Sequence, residues 1–276
     1  MKNIWVPLSG QIAQQRKVDT IANNIANANT AGFKKDRLAF KEHLTALTKG
    51  ADTIDLPRKE WSPEDFYRSQ GAENAFVKVD GSYIDFEQGA LNPTNNPLDF
   101  GLNGKGFFEV LTPSGIRFMR KGNFSLNQQG EVVTTSGFKV LQALENSQQE
   151  NEVNNDSKIE DRVLKVPLNS TFSVSKEGQV FNAQGLIGKM SIVEFNDLQA
   201  LRKQGQSLFI NNSDKNIKRE NVSTTVNQGF VEGSNVNAIR EMSELIGAHR
   251  HFENIQKAIN TYDAMSKQAV NDIASF

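Results

Sequence analysis

The residues best suited to proton transfer or metal binding are three histidines, His43, His249 and His251. His249 and His251 sit two apart in a helical segment, so they point about 160° apart and cannot share an ion. There is no cysteine, which excludes thiol nucleophiles, disulfides and cysteine-based zinc sites. No serine lies in a Gly-x-Ser-x-Gly context. The carboxylates are spread along the chain and no spacing pairs them as acid and base. The glycines of GLNGKGFF (101–108) do not form a dinucleotide loop, which follows a strand and opens a helix. Here they precede the strand-like FFEV and read as a turn. Asn-x-Ser/Thr matches at Asn123 and Asn221 are expected by chance in so asparagine-rich a chain. The reading is a structural or binding protein, with no catalytic residue, no metal and no cofactor.

Composition narrows the partners. Lys plus Arg is 31 and Asp plus Glu is 32, so bulk electrostatics gives no reason for a nucleic-acid or anionic-membrane partner. No run approaches the ~18 apolar residues of a membrane span, so no membrane insertion is expected. The opening MKNIWVPLSGQIAQQRK has no uninterrupted apolar core, and no cleaved secretory signal is expected.

The elements that position any site follow from periodicity. Ile4, Leu8, Ile12, Val18, Ile21 and Ile25 repeat every three or four residues, which predicts a helix ending around Asn27 to Asn29. Pro7 is tolerated in the first turn. Residues 236–274 predict a second, longer helix. Both apolar stripes are too narrow for either helix to be stable alone in water. Each needs a partner: the other helix, or the same helices of neighbouring copies. Residues 75–230 show short alternating runs with Gly and Asn turns, which predict strands, with a hairpin at Pro113-Ser114-Gly115. NFSLNQQGEVVTTSG (123–137) and TFSVSKEGQVFNAQG (171–185) form an internal repeat, each read as a hairpin with Gly at its turn. QGALNPTNNPLD (88–99) and QGFVEGSNVNAI (228–239) form a second echo. NSQQENEVNNDSK (146–158) reads as a loop. Residues 34–75 read as an irregular connector, with a helical piece through Phe40 and Leu47 before Pro57 and Pro63.

The expected fold is α+β and multi-domain: a mainly β middle domain (76–231) with long N- and C-terminal helices (1–33 and 232–276) pairing as a coiled coil. The first helix carries Asn23, Asn24 and Asn27 beside Ile21 and Ile25. Helix capping accounts for Asn29. Asn23 and Asn24, a turn upstream, point to cross-helix contacts, because a buried asparagine fixes register.

DTIANNIANANTAGFKKDR (19–37), QGALNPTNNPLDFGLNGKGFFEV (88–110) with RKGNFSLNQQGEVVTTSGFKVL (120–141), and VNQGFVEGSNVNAIREMSELIGAHRHFE (226–253) resemble, in order, the N-terminal, central and C-terminal motifs of the bacterial flagellar axial proteins. The central motif resembles the rod and hook branch. Met242, Leu245, Ile246, Arg250, Phe252 and Glu253 look closest to the proximal-rod pattern, while the N-terminal run is nearer the distal-rod one. The resemblance implies a structural subunit that polymerises through its terminal helices around a central export channel. It implies copies of itself and other rod proteins as partners. It also implies export by the flagellar type III apparatus without a cleaved signal, and a place in the periplasmic basal body. Leu8, Ile12, Val18, Ile21, Asn23, Asn24, Ile25 and Asn27 would pack subunits from the first helix. Met242, Leu245, Ile246, Arg250, Phe252, Glu253, Ile255, Ile259, Tyr262 and Ile273 would do so from the second. A distal-rod or hook subunit is the alternative within the family. A peptidoglycan-acting or glycan-binding module would need clustered carboxylates or an aromatic platform, and both tryptophans, Trp5 and Trp61, lie outside the β middle.

Overall fold

The computed structural model describes residues 5–46, 73–143, 160–167, 171–205, 207–218 and 223–274. The 146–158 loop, Leu47, Pro57 and Pro63 of the sequence reading lie outside these. The chain divides into two units. A helical unit comprises residues 1–25, 36–83 and 238–276, and a β-rich unit comprises 26–35 and 84–237. The boundaries differ from the sequence reading: residues 26–33 and 232–237, grouped there with the helices, belong to the β-rich unit. No described helix is long and apolar enough to cross a membrane.

In the helical unit, α1 (Trp5–Ala26) holds Pro7 in its first turn, where the missing N–H breaks no helical bond. The second helix, α2 (Ala238–Ala274), has no proline and one interior glycine, Gly247. Ala13, Ile21 and Asn24 of α1 and Glu241 and Ala248 of α2 are buried. Asn24 Nδ2 lies 3.5 Å from Glu241 Oε2, and a Cβ on Gly10 would lie 3.8 Å from Ile255 Cδ1. The end of α1 thus meets the start of α2, and its beginning meets the middle of α2, so the two run in opposite directions.

The expected helical piece through Phe40 is instead a strand, β1 (Asp36–Ala46), paired with β2 (Glu73–Ile84). Phe40, Leu44 and Leu47 recur at four and three, while Leu38, Phe40 and Leu44 fit a period of two. Pairing with a strand some thirty residues on decided between them, and no local pattern records that pairing. The ribbon also meets α1, where the Val77 backbone N–H donates to Ser9 Oγ at 3.2 Å.

The β-rich unit is built on the hairpin of β5 (Phe107–Thr112) and β6 (Gly115–Met119). Thr112 pairs with Gly115 across the expected Pro113-Ser114 tip. A larger sheet continues from β6 through β15 (Leu208–Ile210) to β14 (Arg202–Gln204). On the other side β5 leads to β9 (Lys139–Val140), β8 (Val132–Thr134) and β7 (Phe124–Leu126). β13 (Ile192–Phe195) joins β5 to β16 (Ile217–Lys218). β5 is buried on both faces. Phe108 and Val110 enter one core with Phe100, Leu102, Val180, Met190 and Val226. Phe107 enters a second with Phe118, Phe195 and Phe209. Phe107 meets Phe195 and Phe209 edge-on at 5.5 and 5.4 Å, the arrangement that aromatic quadrupoles favour.

The repeat is structural. In the first copy β7 and β8 pair Phe124 with Thr134 and Leu126 with Val132. In the second, β10 (Phe172–Val174) and β11 (Gln179–Asn182) pair Phe172 with Asn182 and Val174 with Val180. β12 (Gly185–Lys189) completes that sheet. Gly130 and Gly178 hold the equivalent turn position at φ 77° and 83°, where a side chain would be strained. The segments of the second echo pair with each other, β3 (Leu91–Pro93) antiparallel to β18 (Phe230–Glu232). Beside them β4 (Phe100–Asn103) pairs with β17 (Thr225–Gln228).

Candidate functional site

The chemistry available is that of packing. No group of three or more metal-ligating side chains forms among the described residues. The most buried acids are bound to neighbours. Glu194 Oε1 accepts from Thr224 Oγ1 at 2.7 Å and from the Thr224 and Ser223 backbone N–H groups at 3.0 and 2.9 Å. Burial would raise its pKa, but the bonds from Thr224, Lys218 and Ser223 outweigh it and hold the carboxyl below the usual glutamate value.

The helical unit presents an apolar face. On α2 the buried or half-buried positions Glu241, Leu245, Ala248, Phe252, Ile255 and Ile259 recur at alternating spacings of four and three, the heptad pattern of a helix that packs along one seam. In the same register the seam continues as Tyr262, Ser266, Ala269 and Ile273, flanked by Met265 and Val270. From Asn260 to Asn271 every residue is exposed, with Tyr262 at 51 %, Met265 at 62 % and Val270 at 58 %. Near its start α2 has a second exposed apolar strip of Ile239, Met242 and Ile246.

The residues named from sequence fall into distinct classes. Ile21 and Asn24 are buried within the chain, and Leu8, Val18 and Ile25 are half-buried. Ile12, Met242, Ile246 and Tyr262 are exposed apolar side chains. Asn23, Arg250 and Glu253 are exposed. Ile273 lies in α2, with its side chain outside the described set. Asn27 is not on α1. It lies in the following turn, where Thr30 Oγ1 donates to its side-chain oxygen at 3.1 Å, off the helix that carries Asn23 and Asn24. Ile239 of the second strip, and Met265 and Val270 beside the seam, are exposed apolar side chains outside the packing set expected from sequence.

A site of another kind lies wholly within the β-rich unit and has no local sequence signal. Glu232, Lys34 and Arg120 are 0, 1 and 2 % exposed. Lys34 Nζ donates to Glu232 Oε1 at 2.6 Å and Arg120 Nε to Glu232 Oε2 at 2.8 Å. Gly89 N–H also donates to Oε1, at 3.0 Å. Arg120 donates further to the carbonyls of Gly104, at 2.9 Å, and Gly106. Lys34 donates to the Glu87 carbonyl at 2.7 Å. Burial draws the Lys34 pKa below the ordinary lysine value. The Arg120 charge adds to that, and Glu232 opposes both. Asn235 completes the junction, accepting from Lys35 N–H and donating to the Asp85 and Glu87 carbonyls. Four chain segments, at 34–35, 85–89, 104–120 and 232–235, are thereby tied at one point.

Comparison with known proteins bears on the identity of this chain. Residues 6–34 match the family model described as flagella basal body rod protein. Residues 101–181 match the flagellar hook protein FlgE/F/G D1 domain, and 227–272 the flagellar basal body rod FlgEFG protein C-terminal region. The flagellar basal-body rod protein FlgF of Caulobacter vibrioides is 30 % identical over 97 % of this chain and 96 % of its own length. FlgG of the same organism is 31 % identical over the full length of both, and FlgG of Bacillus subtilis is 28 % identical over 98 % of both.

Proposed function

The chain belongs to the flagellar basal-body rod protein family, and from that premise we propose how it is built into the rod. It is a structural, non-enzymatic subunit of a motility organelle. The helices α1 and α2 pair as a coiled coil, and the same seam continues onto helices of neighbouring subunits, its own copies or other rod proteins. The observation that carries this reading is the α2 seam. Its positions are buried or half-buried as far as Ile259 and exposed from Tyr262 to Ala269. An isolated apolar seam of that length is stable only against a partner. In this arrangement the terminal helices line the export channel.

Within the rod the proximal position is our reading, supported by Met242, Leu245, Ile246, Arg250, Phe252 and Glu253. The distal position is the second reading, favoured by the N-terminal run and by the FlgG relatives. Passage through the flagellar type III apparatus and assembly in the periplasmic space belong to the same proposal. A chain without cysteine suits such a route, since nothing in it can cross-link on reaching an oxidising space. Electron cryomicroscopy of basal bodies carrying a tagged copy tests the position. Tag density at the rod end away from the hook supports the proximal reading. Density adjoining the hook overturns it, and absence from the rod overturns the whole proposal.

A further inference from the structure

Asn103 and Gly104 form the one Asn-Gly pair of the chain, at the end of β4. In such a pair the Gly nitrogen, unhindered by any side chain, can attack the Asn side-chain carbonyl. The Gly104 N–H loses its proton to solvent base and an N–C bond forms to Asn103 Cγ. The Cγ–N bond then breaks and ammonia leaves. Water opens the resulting succinimide at either carbonyl, giving Asp or isoAsp.

Asn103 itself is exposed, and nothing in the fold shields its amide from water. The attacking nitrogen is held, however. Gly104 N–H donates to Gln88 Oε1 at 3.1 Å, and Gln88 is fixed in turn by donating from Nε2 to the Leu102 carbonyl at 3.1 Å. The Gly104 carbonyl is held at 2.9 Å by buried Arg120. We propose that Asn103 is a self-modification site that folding silences, with Gln88 as the guard on the Gly104 nitrogen. The pair reacts when the β4–β5 link opens, so the extent of reaction records the time a subunit has spent unfolded. Conversion to isoAsp inserts a methylene into the backbone beside the two carbonyls that bind Arg120, so a reacted chain closes that link poorly.

The test is peptide mapping of the full chain incubated in mildly alkaline buffer. Fragment spectra read the 1 Da gain at residue 103 and an isoaspartyl assay reads the product. The expected order is unfolded wild type in urea fastest, folded Gln88→Ala next and folded wild type slowest. Loss of the guard speeds the reaction roughly tenfold, the factor for a hydrogen bond of about 1.4 kcal/mol. Gln88→Glu keeps an acceptor for the Gly104 N–H and retains most of the protection. Equal rates in folded and unfolded wild type overturn the silencing. Equal rates in folded wild type and Gln88→Ala, or a Gln88→Glu as fast as Gln88→Ala, overturn the role of Gln88.

Discussion

The side-chain amide of Asn24 grips the backbone of Asp36 from both sides. Its Oδ1 accepts from the Asp36 N–H at 3.0 Å and its Nδ2 donates to the Asp36 carbonyl at 2.9 Å. One side chain in the last turns of α1 thereby satisfies both polar groups where β1 begins, with Glu241 of α2 at 3.5 Å on the same nitrogen. An apolar residue of the same size cannot do this, which is why an asparagine is buried there.

Replacing Asn24 with Leu removes its two hydrogen bonds to the half-buried Asp36 backbone. It should cost about 1–3 kcal/mol, because each such bond contributes roughly 0.5–1.5. Asn23→Leu, on the exposed side of α1, should change stability by less than about 0.5 kcal/mol. Urea unfolding of the two variants checks this. Equal effects would remove the distinction between the two asparagines.

The buried cluster holds two cations and one anion, so its members are not equivalent. Lys34→Met leaves a balanced Arg120–Glu232 pair, and Asn235 still serves the Glu87 carbonyl. It should cost about 1 kcal/mol or less. Glu232→Gln leaves two buried cations facing each other, and Arg120→Met removes the donor to the Gly104 and Gly106 carbonyls along with the bond to Glu232. Each should cost about 3–5 kcal/mol. The Lys34 pKa is lowered on folding, so between its folded value and 10.5 the unfolded chain binds the extra proton. Wild type should therefore gain stability relative to Lys34→Met as pH rises through that window. Denaturation midpoints of both proteins across alkaline pH provide the measurement.

Glu194 predicts the opposite end of the scale. Its pKa is lowered in the folded state from 4.5. The stability it contributes is fully present above that value and is lost as pH falls through the folded pKa. Acid titration of unfolding should show wild type losing more stability than Glu194→Gln over this range. Thr224→Val removes the strongest of the opposing bonds and should move the loss to higher pH.

Two apolar-to-charged changes separate folding from assembly. Ile21 is buried within the chain, so Ile21→Asp should destabilise the helical unit by about 3 kcal/mol or more while the β signal in circular dichroism persists. Val270 is exposed on the flank of the free seam, so Val270→Asp should leave the unfolding midpoint of the isolated subunit unchanged. Both variants should fail to build rods and to support swimming. Normal rods from Val270→Asp would show that the distal seam of α2 has no subunit against it.

The sequence by itself determined what local periodicity encodes: two terminal helices within a few residues of their observed ends, a β-rich middle, the Pro113-Ser114 hairpin, and two copies of one hairpin with glycine at the same turn. Its three separated motifs also determined the family. Only the tertiary structure decided that Leu38, Phe40 and Leu44 extend along a strand, because Phe40 and Leu44 fit a helical period as well and a distant partner made the choice. It alone placed Asn24 inside and Asn23 outside, since one helical step of about 100° separates a buried amide from an exposed one. It alone brought together Lys34, Arg120 and Glu232. A charged residue in a sequence reads as surface. It becomes interior only when segments far apart in the chain supply the counter-charges and carbonyls that replace water around it, and no spacing along the chain announces that they will.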